Sequence, residues 1–215
     1  MTALAEAAVA EAAEEEKRQA AIRKASQPTN DVIDAYKSYY AAVQSKDGEV
    51  AASFVDKSTI ALYERMRTHA LRSSRDELGK LPITELIQVL VLRQKIGQEE
   101  LAMMDGSAVF RRSVNEGWVH VDTVENFNSH SVMIVFGNAR LKLNAEGRPP
   151  GWAYRLTREN NHWRVNLIDE IKAAETDLIE RAQREGLSPT ELAAHLAEGI
   201  TMQPVTDAIW QPLVD

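Results

Sequence analysis

The side chains best suited to chemistry lie in the short segment 118–124. If this segment is an extended strand, His120 and Asp122 project from the same face, because successive side chains alternate between two faces. A carboxylate beside an imidazole in an apolar pocket can act as a general base that abstracts a proton. The same alternation also fits the opposite arrangement, in which the intervening valines face the core and both polar side chains face solvent. The segment therefore offers a candidate catalytic pair, with a surface strand as the alternative.

Tyr154 is the third candidate catalytic residue. It lies between Trp152 and Leu156 on one face of a predicted strand, so its phenol could donate a hydrogen bond to a developing enolate. The alternative is a packed aromatic ring whose hydroxyl binds the main chain. Asp169 closes the last predicted strand and could act as an acid at the mouth of a pocket, although aspartate there more often caps a helix.

No metal or nucleotide motif accompanies these residues in the sequence. The chain has no cysteine, which excludes disulfides, thiol catalysis and cysteine-ligated metals. His69 and His195 lack partners at the spacing of metal ligands, and the glycines form neither a GxGxxG nor a Walker sequence. The sequence therefore predicts no metal and no cofactor.

Length and composition narrow the class of protein. A chain of 215 residues can form one core with extensions. The net charge of −7 argues against a nucleic-acid partner, because proteins that bind nucleic acid need a positive face. No apolar run approaches the ~20 residues of a membrane-spanning helix, and the first 26 residues lack the basic start and apolar stretch of a signal peptide. We expect a cytoplasmic protein without a membrane span; export after removal of a signal is the alternative.

The hydrophobic pattern changes character near Gly117. Before it, apolar residues recur every three or four positions, as in amphipathic helices, and Ser58 is predicted to cap one of these helices. After it, apolar residues alternate in short runs divided by turn residues. The pattern predicts an α+β fold with strands at 119–125, 131–136, 139–143, 152–158 and 162–169.

Helical extensions are predicted at both ends. The composition of residues 3–25 favours helix, and Pro28 is predicted to end it. Near the other end, Ser188 begins a well-capped helix, and the apolar residues within 209–214 predict a tail that docks on the core. We expect an N-terminal extension (1–28), a central domain (29–171) and a C-terminal extension (172–215).

Two stretches carry a resemblance to a known family. One is the amphipathic helix DVIDAYKSYYAAV, and the other is the closing strand pair GWAYRLTRENNHWRVNLID. With them, residues 30–169 resemble the nuclear transport factor 2-like superfamily. The resemblance implies helices packed on a curved antiparallel sheet of four to five strands, a cone with an apolar pocket, and a homodimer formed through the sheet. The superfamily includes isomerases, dehydratases, cyclases, ligand binders, transport adaptors and secretion-system parts.

Three functions are consistent with these patterns. The leading hypothesis is a non-enzymatic module that binds a small apolar molecule or another protein. Its expected pocket residues are Tyr36, Tyr40, Phe136, Trp152, Tyr154 and Trp163. The alternative is an isomerase or dehydratase in which Asp122 and His120 form the general base and Tyr154 is the donor. The third is a structural protein whose pocket is filled by its own side chains and whose exposed apolar surface binds another chain.

Overall fold

A computed structural model describes residues 2–124, 126–128, 130–146 and 152–214, with side chains described except at 2–13 and 21–25. The helices are α1 (Thr2–Gln44), α2 (Gly48–Phe54), α3 (Lys57–Arg72), α4 (Arg75–Leu78), α5 (Ile83–Lys95), α6 (Gln98–Met103), α7 (Gly106–Asn115), α8 (Ile168–Glu185) and α9 (Pro189–Thr201), followed by a 3-10 turn (Asp207–Trp210). The strands are β1 (His130–Val135), β2 (Asn138–Leu143), β3 (Tyr154–Glu159) and β4 (His162–Asn166). The described residues therefore form a mixed α+β structure, as predicted.

The strands form one open antiparallel sheet in the order β1-β2-β3-β4. Two tight turns set this meander. Phe136 and Gly137 connect β1 to β2 with φ values of 46° and 76°, and Asn160 and Asn161 connect β3 to β4 with φ values of 48° and 64°. Glycine and asparagine tolerate this left-handed region better than other residues. The turn at Asn160 and Asn161 lies where the sequence predicts it, and the turn between β1 and β2 lies one residue before the predicted positions 137–138.

The prediction of a strand at 119–125 was wrong for the residues of this segment that the structure describes. Residues 118–123 are irregular, and Val124 forms an isolated bridge with Ala145, which lies two residues beyond the end of β2. The reason is visible in its contacts, since all five consecutive residues from Trp118 to Asp122 line a cavity. A pleated strand would turn only every second side chain to one side. Glu125 itself lies outside the described residues.

The core lies between one face of the sheet and the helices. Buried and less buried positions alternate along β2 and β3, which directs Leu141 and Leu156 inward. α1 packs on β1, β2 and β4. Its buried residues Tyr36, Tyr39 and Val43 recur at the helical spacing that the sequence shows.

The prediction that Pro28 ends the first helix was wrong, because α1 runs through this residue to Gln44. Proline inside a helix removes one main-chain hydrogen bond and costs about 3 kcal/mol. The alanine, glutamate, lysine and glutamine residues on its N-terminal side favour helix, and the C-terminal part of α1 is buried on the core. The division between extension and domain at this position stays a prediction.

The C-terminal region packs as the sequence predicts. α8 ends at Gly186, which has a φ of 68°, and α9 begins with a capping box formed by Ser188 and Glu191. The final segment then returns to α3, where the main-chain N–H groups of Leu213 and Val214 both donate to the Leu71 carbonyl at 2.8 and 3.0 Å. The apolar tail is therefore docked.

Among the described residues, no helix combines the length and apolar character needed to cross a membrane. The same residues contain no group of three or more histidine, aspartate or glutamate side chains placed to hold a metal ion. The expected cytoplasmic location stays a prediction.

Candidate functional site

A cavity of about 330 Å³ lies between the helical layer and β3. Its wall is built by α1, α3, α5, the irregular segment 118–122, β3 and the start of α8. Most of this wall is apolar or aromatic. Its apolar and aromatic members are Tyr36, Tyr39, Leu62, Tyr63, Met66, Ile87, Trp118, Val119, Val121, Tyr154, Leu167, Ile171 and Ala174.

Helical periodicity places most of these side chains. Residues three or four apart lie on the same face of a helix, which brings Tyr36 and Tyr39 of α1 to the cavity together. The same rule applies to Glu170, Ile171 and Ala174 of α8, which covers the cavity. Tyrosines are therefore gathered from two helices and a strand at one site.

Polar side chains lie along one side of the cavity. The Tyr154 hydroxyl donates to Asp122 Oδ2 at 2.8 Å. The rings of Tyr154 and Tyr36 lie 4.6 Å apart between centroids. Burial raises the pKa of Tyr36 far above its ordinary value, and electrostatic interactions with Tyr154 and Glu170 raise it further. Tyr36 is therefore a neutral phenol at physiological pH.

The hydroxyl of Tyr39 is buried beside the same cavity. The residue is 1% exposed, and its hydroxyl has no hydrogen-bond partner among the described residues. Burial is the main cause that raises the pKa of Tyr39, with smaller contributions from Tyr63, Glu170 and Asp122. Burial likewise raises the pKa of Tyr63. An unsatisfied buried hydroxyl usually has a structural or functional explanation.

Three residues of α5, Thr84, Glu85 and Gln88, complete the polar part of the wall. Glu85 accepts two hydrogen bonds from Arg65, at 3.1 Å from Nε and 2.7 Å from Nη2, and the bond raises the pKa of Arg65. Gln88 donates through Nε2 to the Trp118 carbonyl at 3.3 Å. That contact fixes the amide orientation, because a carbonyl can only accept. It leaves Gln88 Oε1 buried without a partner among the described residues.

α8 is held over the cavity by polar contacts at two points. The Leu167 N–H donates to Thr59 Oγ1 at 3.1 Å, which fixes the start of the helix. Farther along, Glu175 accepts from the N–H groups of Ile83 and Thr84 at 2.9 Å each, and from the Thr84 hydroxyl at 2.9 Å. These N–H groups begin α5, where the N-cap residue is a proline without a capping side chain. Glu175 therefore caps α5 from another helix.

Replacing Glu175 by glutamine is expected to lower the free energy of unfolding by about 1 to 2 kcal/mol, because the α5 N-terminus loses a charged acceptor. Urea denaturation measures the change. Glu180→Gln is the matched control, since Glu180 lies on the same helix and its side chain is 63% exposed. That control should change the stability by less than about 0.5 kcal/mol. Equal effects of the two substitutions would contradict the capping role.

The structure brings several of the predicted site residues together. Tyr36, Tyr154, Asp122 and His120 all line the cavity. Asp122 is half-buried, whereas His120 is exposed and so lies where the cavity opens to solvent. Asp169, the candidate acid at the mouth of the pocket, lies in the first turn of α8. It is not among the residues that line the cavity.

The other predicted pocket residues lie elsewhere. The Tyr40 ring packs against Phe127 at 5.3 Å, and Trp152 packs edge-on against Tyr154 at 6.4 Å. Trp163 is buried in β4, and Phe136 is 99% exposed in the β1–β2 turn. None of these four is part of the cavity wall as described.

Several residues of the cavity wall were not predicted as pocket residues from the sequence. Tyr39, Tyr63 and Met66 show a usable signal, since they share helical faces with other apolar residues. Gln88 and Glu170 carry no such signal, because only tertiary packing brings them to the cavity.

Comparison with protein-family models, curated proteins and solved structures gives no match for this chain. Its function is therefore inferred from the cavity and its side chains.

Proposed function

We propose that this protein is a non-enzymatic module that binds a small apolar or aromatic molecule in the cavity. The observation that carries the proposal is the cavity itself, about 330 Å³ with a mainly apolar wall and a few polar groups that converge on it. Ligand sites in proteins have this size and composition, with the apolar wall giving affinity and the polar groups fixing orientation.

Packing also favours a ligand site rather than a core filled by the protein's own side chains. Protein interiors are close-packed, with few voids larger than a water molecule. Here a space of about 330 Å³ is kept open beneath α8. Of the residues of α8, only Ala182 is fully buried, and it lies far along the helix from the cavity. The polar contacts of Leu167 and Glu175 hold the helix in place over the open space.

We further propose that the chain has a nuclear transport factor 2-like fold, which three features of the structure support. α1 lies on an antiparallel meander, and the chain segment 154–166 forms the closing hairpin that the resemblance implies. A cavity lies between the helices and the sheet. Because many functions share one fold, this likeness says little about the ligand.

Replacing Ala174 by phenylalanine is expected to weaken ligand binding strongly, because the ring would occupy the cavity that Ala174 lines. The neutral fluorophore N-phenylnaphthylamine serves as the probe, since its emission rises on transfer to an apolar site. The wild-type protein should bind it saturably at one site. The variant should bind at least about tenfold more weakly.

Ala173→Phe is the matched control for this experiment. Ala173 is the neighbouring residue of α8 and is not part of the described wall. This control should bind the probe as the wild type does, and melting curves should show that both variants fold. Unchanged binding by Ala174→Phe, or equal loss in both variants, would refute the proposal.

The enzyme alternative is favoured by the hydrogen bond of 2.8 Å between Tyr154 and Asp122. A carboxylate beside neutral phenols can abstract a proton while a phenol donates to the resulting enolate. An isomerase or dehydratase of this kind would exchange deuterium from deuterium oxide into the acidic carbon of a bound ketone such as β-tetralone. Exchange that is lost in Asp122→Asn would favour the enzyme. Binding of the ketone without accelerated exchange would favour the non-enzymatic role.

The protein-interaction alternative depends on the outer strand of the sheet. Met133, Ile134, Val135 and Phe136 are exposed there, along β1 and its turn. An outer strand with apolar side chains can pair with another chain. Native mass spectrometry distinguishes the protein-interaction function from the ligand-binding function, because it counts subunits and detects a retained small molecule in one spectrum.

A further inference from the structure

We propose that the ligand is a protonated amine that carries an aromatic or apolar body. The inference rests on the proposed binding function and adds the chemical class of the ligand. It follows from two features of the cavity wall, namely its charge and its aromatic rings.

The charged side chains of the described wall are mainly acidic. Glu85, Asp122 and Glu170 line the cavity, and neither lysine nor arginine does so within the described residues. Arg65 approaches from outside the wall and binds Glu85 through both of its carboxylate oxygens. Asp122 thus places a carboxylate on the cavity wall, on the side where Tyr36 and Tyr154 lie, and Glu170 adds a buried carboxylate near Tyr36.

Aromatic rings make up a large part of the remaining wall. The rings of Tyr36, Tyr39, Tyr63 and Tyr154 and the indole of Trp118 all line the cavity. The faces of such rings are electron-rich and attract cations that have left water. A cation in this cavity would therefore gain from the rings as well as from the carboxylates.

Carboxylate oxygens supply the hydrogen-bond partners of an ammonium group. Each carboxylate oxygen accepts more than one hydrogen bond, so Asp122 can accept from a ligand while it accepts from Tyr154. A primary ammonium carries three donors and no acceptor, which suits a wall rich in acceptors.

Anionic and neutral ligands fit this wall less well than a cation. An anion would be repelled by the carboxylates of Asp122 and Glu170. A neutral apolar molecule would fill the space and displace water from the carboxylates without replacing its hydrogen bonds. The wall therefore selects a cation by both attraction and exclusion.

Three small probes of closely similar size test this selectivity by isothermal titration calorimetry at neutral pH. Phenethylamine is a cation, phenethyl alcohol is neutral with the same phenyl ring and chain, and phenylacetate is an anion. The amine is expected to bind at least about tenfold more tightly than the alcohol, and the anion more weakly than both. The alcohol keeps a hydrogen-bond donor, so the comparison isolates the charge.

Asp122→Asn tests the assigned carboxylate. This variant is expected to bind phenethylamine about tenfold more weakly, while its affinity for phenethyl alcohol stays within about twofold of the wild type. Glu180→Gln removes the same charge from an exposed position of α8 and should change neither affinity. A merely structural role of Asp122 would lower the affinities for the amine and the alcohol together.

The outcomes separate this inference from the proposed function. If the alcohol binds as tightly as the amine, the cationic ligand class is wrong and the binding cavity stands. If the anion binds best, the charge assignment is reversed and the inference is overturned. If neither the amine nor the alcohol binds, the ligand class is again overturned, and the N-phenylnaphthylamine titration with Ala174→Phe decides separately whether the cavity binds ligands.

Discussion

Replacing Arg93 by methionine is expected to lower the free energy of unfolding by about 3 to 5 kcal/mol. Arg93 belongs to α5 and is 6% exposed. Its guanidinium donates to the carbonyls of Ala70, His69, Ser73 and Ile209 at 2.7, 3.1, 2.6 and 2.8 Å. The substitution keeps an apolar stem of similar length and removes every one of these donors.

The reason for the large effect is the position of the accepting carbonyls. His69, Ala70 and Ser73 lie at the end of α3, where helix carbonyls lack partners within the helix. The fourth carbonyl, that of Ile209, ties the C-terminal 3-10 turn to the same side chain. Burial lowers the pKa of Arg93 to about 10, so the guanidinium still carries its charge at neutral pH. That charge lies at the negative end of the α3 dipole.

Arg72→Met is the control for this prediction. Arg72 belongs to the same last turn of α3 but is exposed. Urea denaturation should show a change below about 0.5 kcal/mol for this variant. If Arg93→Met stays within about 1 kcal/mol of the wild type, the buried guanidinium does not hold these elements together.

Replacing Asp56 by alanine is expected to lower the free energy of unfolding by about 3 to 4 kcal/mol. Asp56 is 2% exposed and caps α3 by accepting from the Thr59 N–H at 2.9 Å. Its carboxylate also accepts from Asn166 Nδ2 at 2.7 Å and from Thr157 Oγ1 at 3.1 Å. One carboxylate thus joins the start of α3 to β3 and β4, and its loss leaves several buried donors unsatisfied.

A surface cap provides the comparison for Asp56. Asp105 caps α7 through a bond of 2.7 Å from the Ala108 N–H, but it is exposed. Asp105→Ala should therefore lower the stability by about 1 kcal/mol, the usual value for one lost cap. Chemical denaturation measures the free energy of unfolding of both variants. Similar losses of stability would mean that the hydrogen bonds from β3 and β4 to Asp56 do not stabilise the protein.

Local patterns predicted the elements whose residues interact mainly with near neighbours. The capping box of Ser188, the turn at Asn160 and the buried face of α1 follow from spacing alone. The predicted cap at Ser58 was wrong by two residues, because Asp56 caps α3 and the Ser58 hydroxyl donates to it at 2.9 Å. Both residue types are good caps, and tertiary contacts with β4 decide between them, because the Asp56 N–H donates to the Val165 carbonyl at 3.0 Å.

The candidate site was less predictable, because its parts are distant in the sequence. Asp122 and Tyr154 were both proposed from strand patterns, but their hydrogen bond depends on an irregular segment that the pattern misread as a strand. Glu170 reaches the cavity only because α8 folds back over it, and Glu175 fixes that helix to α5. Arg93 lies within an apolar stripe of α5, where the pattern gives no sign of its four carbonyl partners.

The position of a bound probe tests the central claim most directly. The chain has four tryptophans, of which Trp118 lines the cavity and Trp210 is buried in the C-terminal turn beneath Arg75. Their indole N–H signals are resolved by heteronuclear NMR and assigned with Trp→Phe variants. During titration with N-phenylnaphthylamine, the Trp118 signal should shift saturably while the Trp210 signal stays in place. A probe that binds without moving the Trp118 signal, or that moves the Trp210 signal alone, would contradict a ligand site in this cavity.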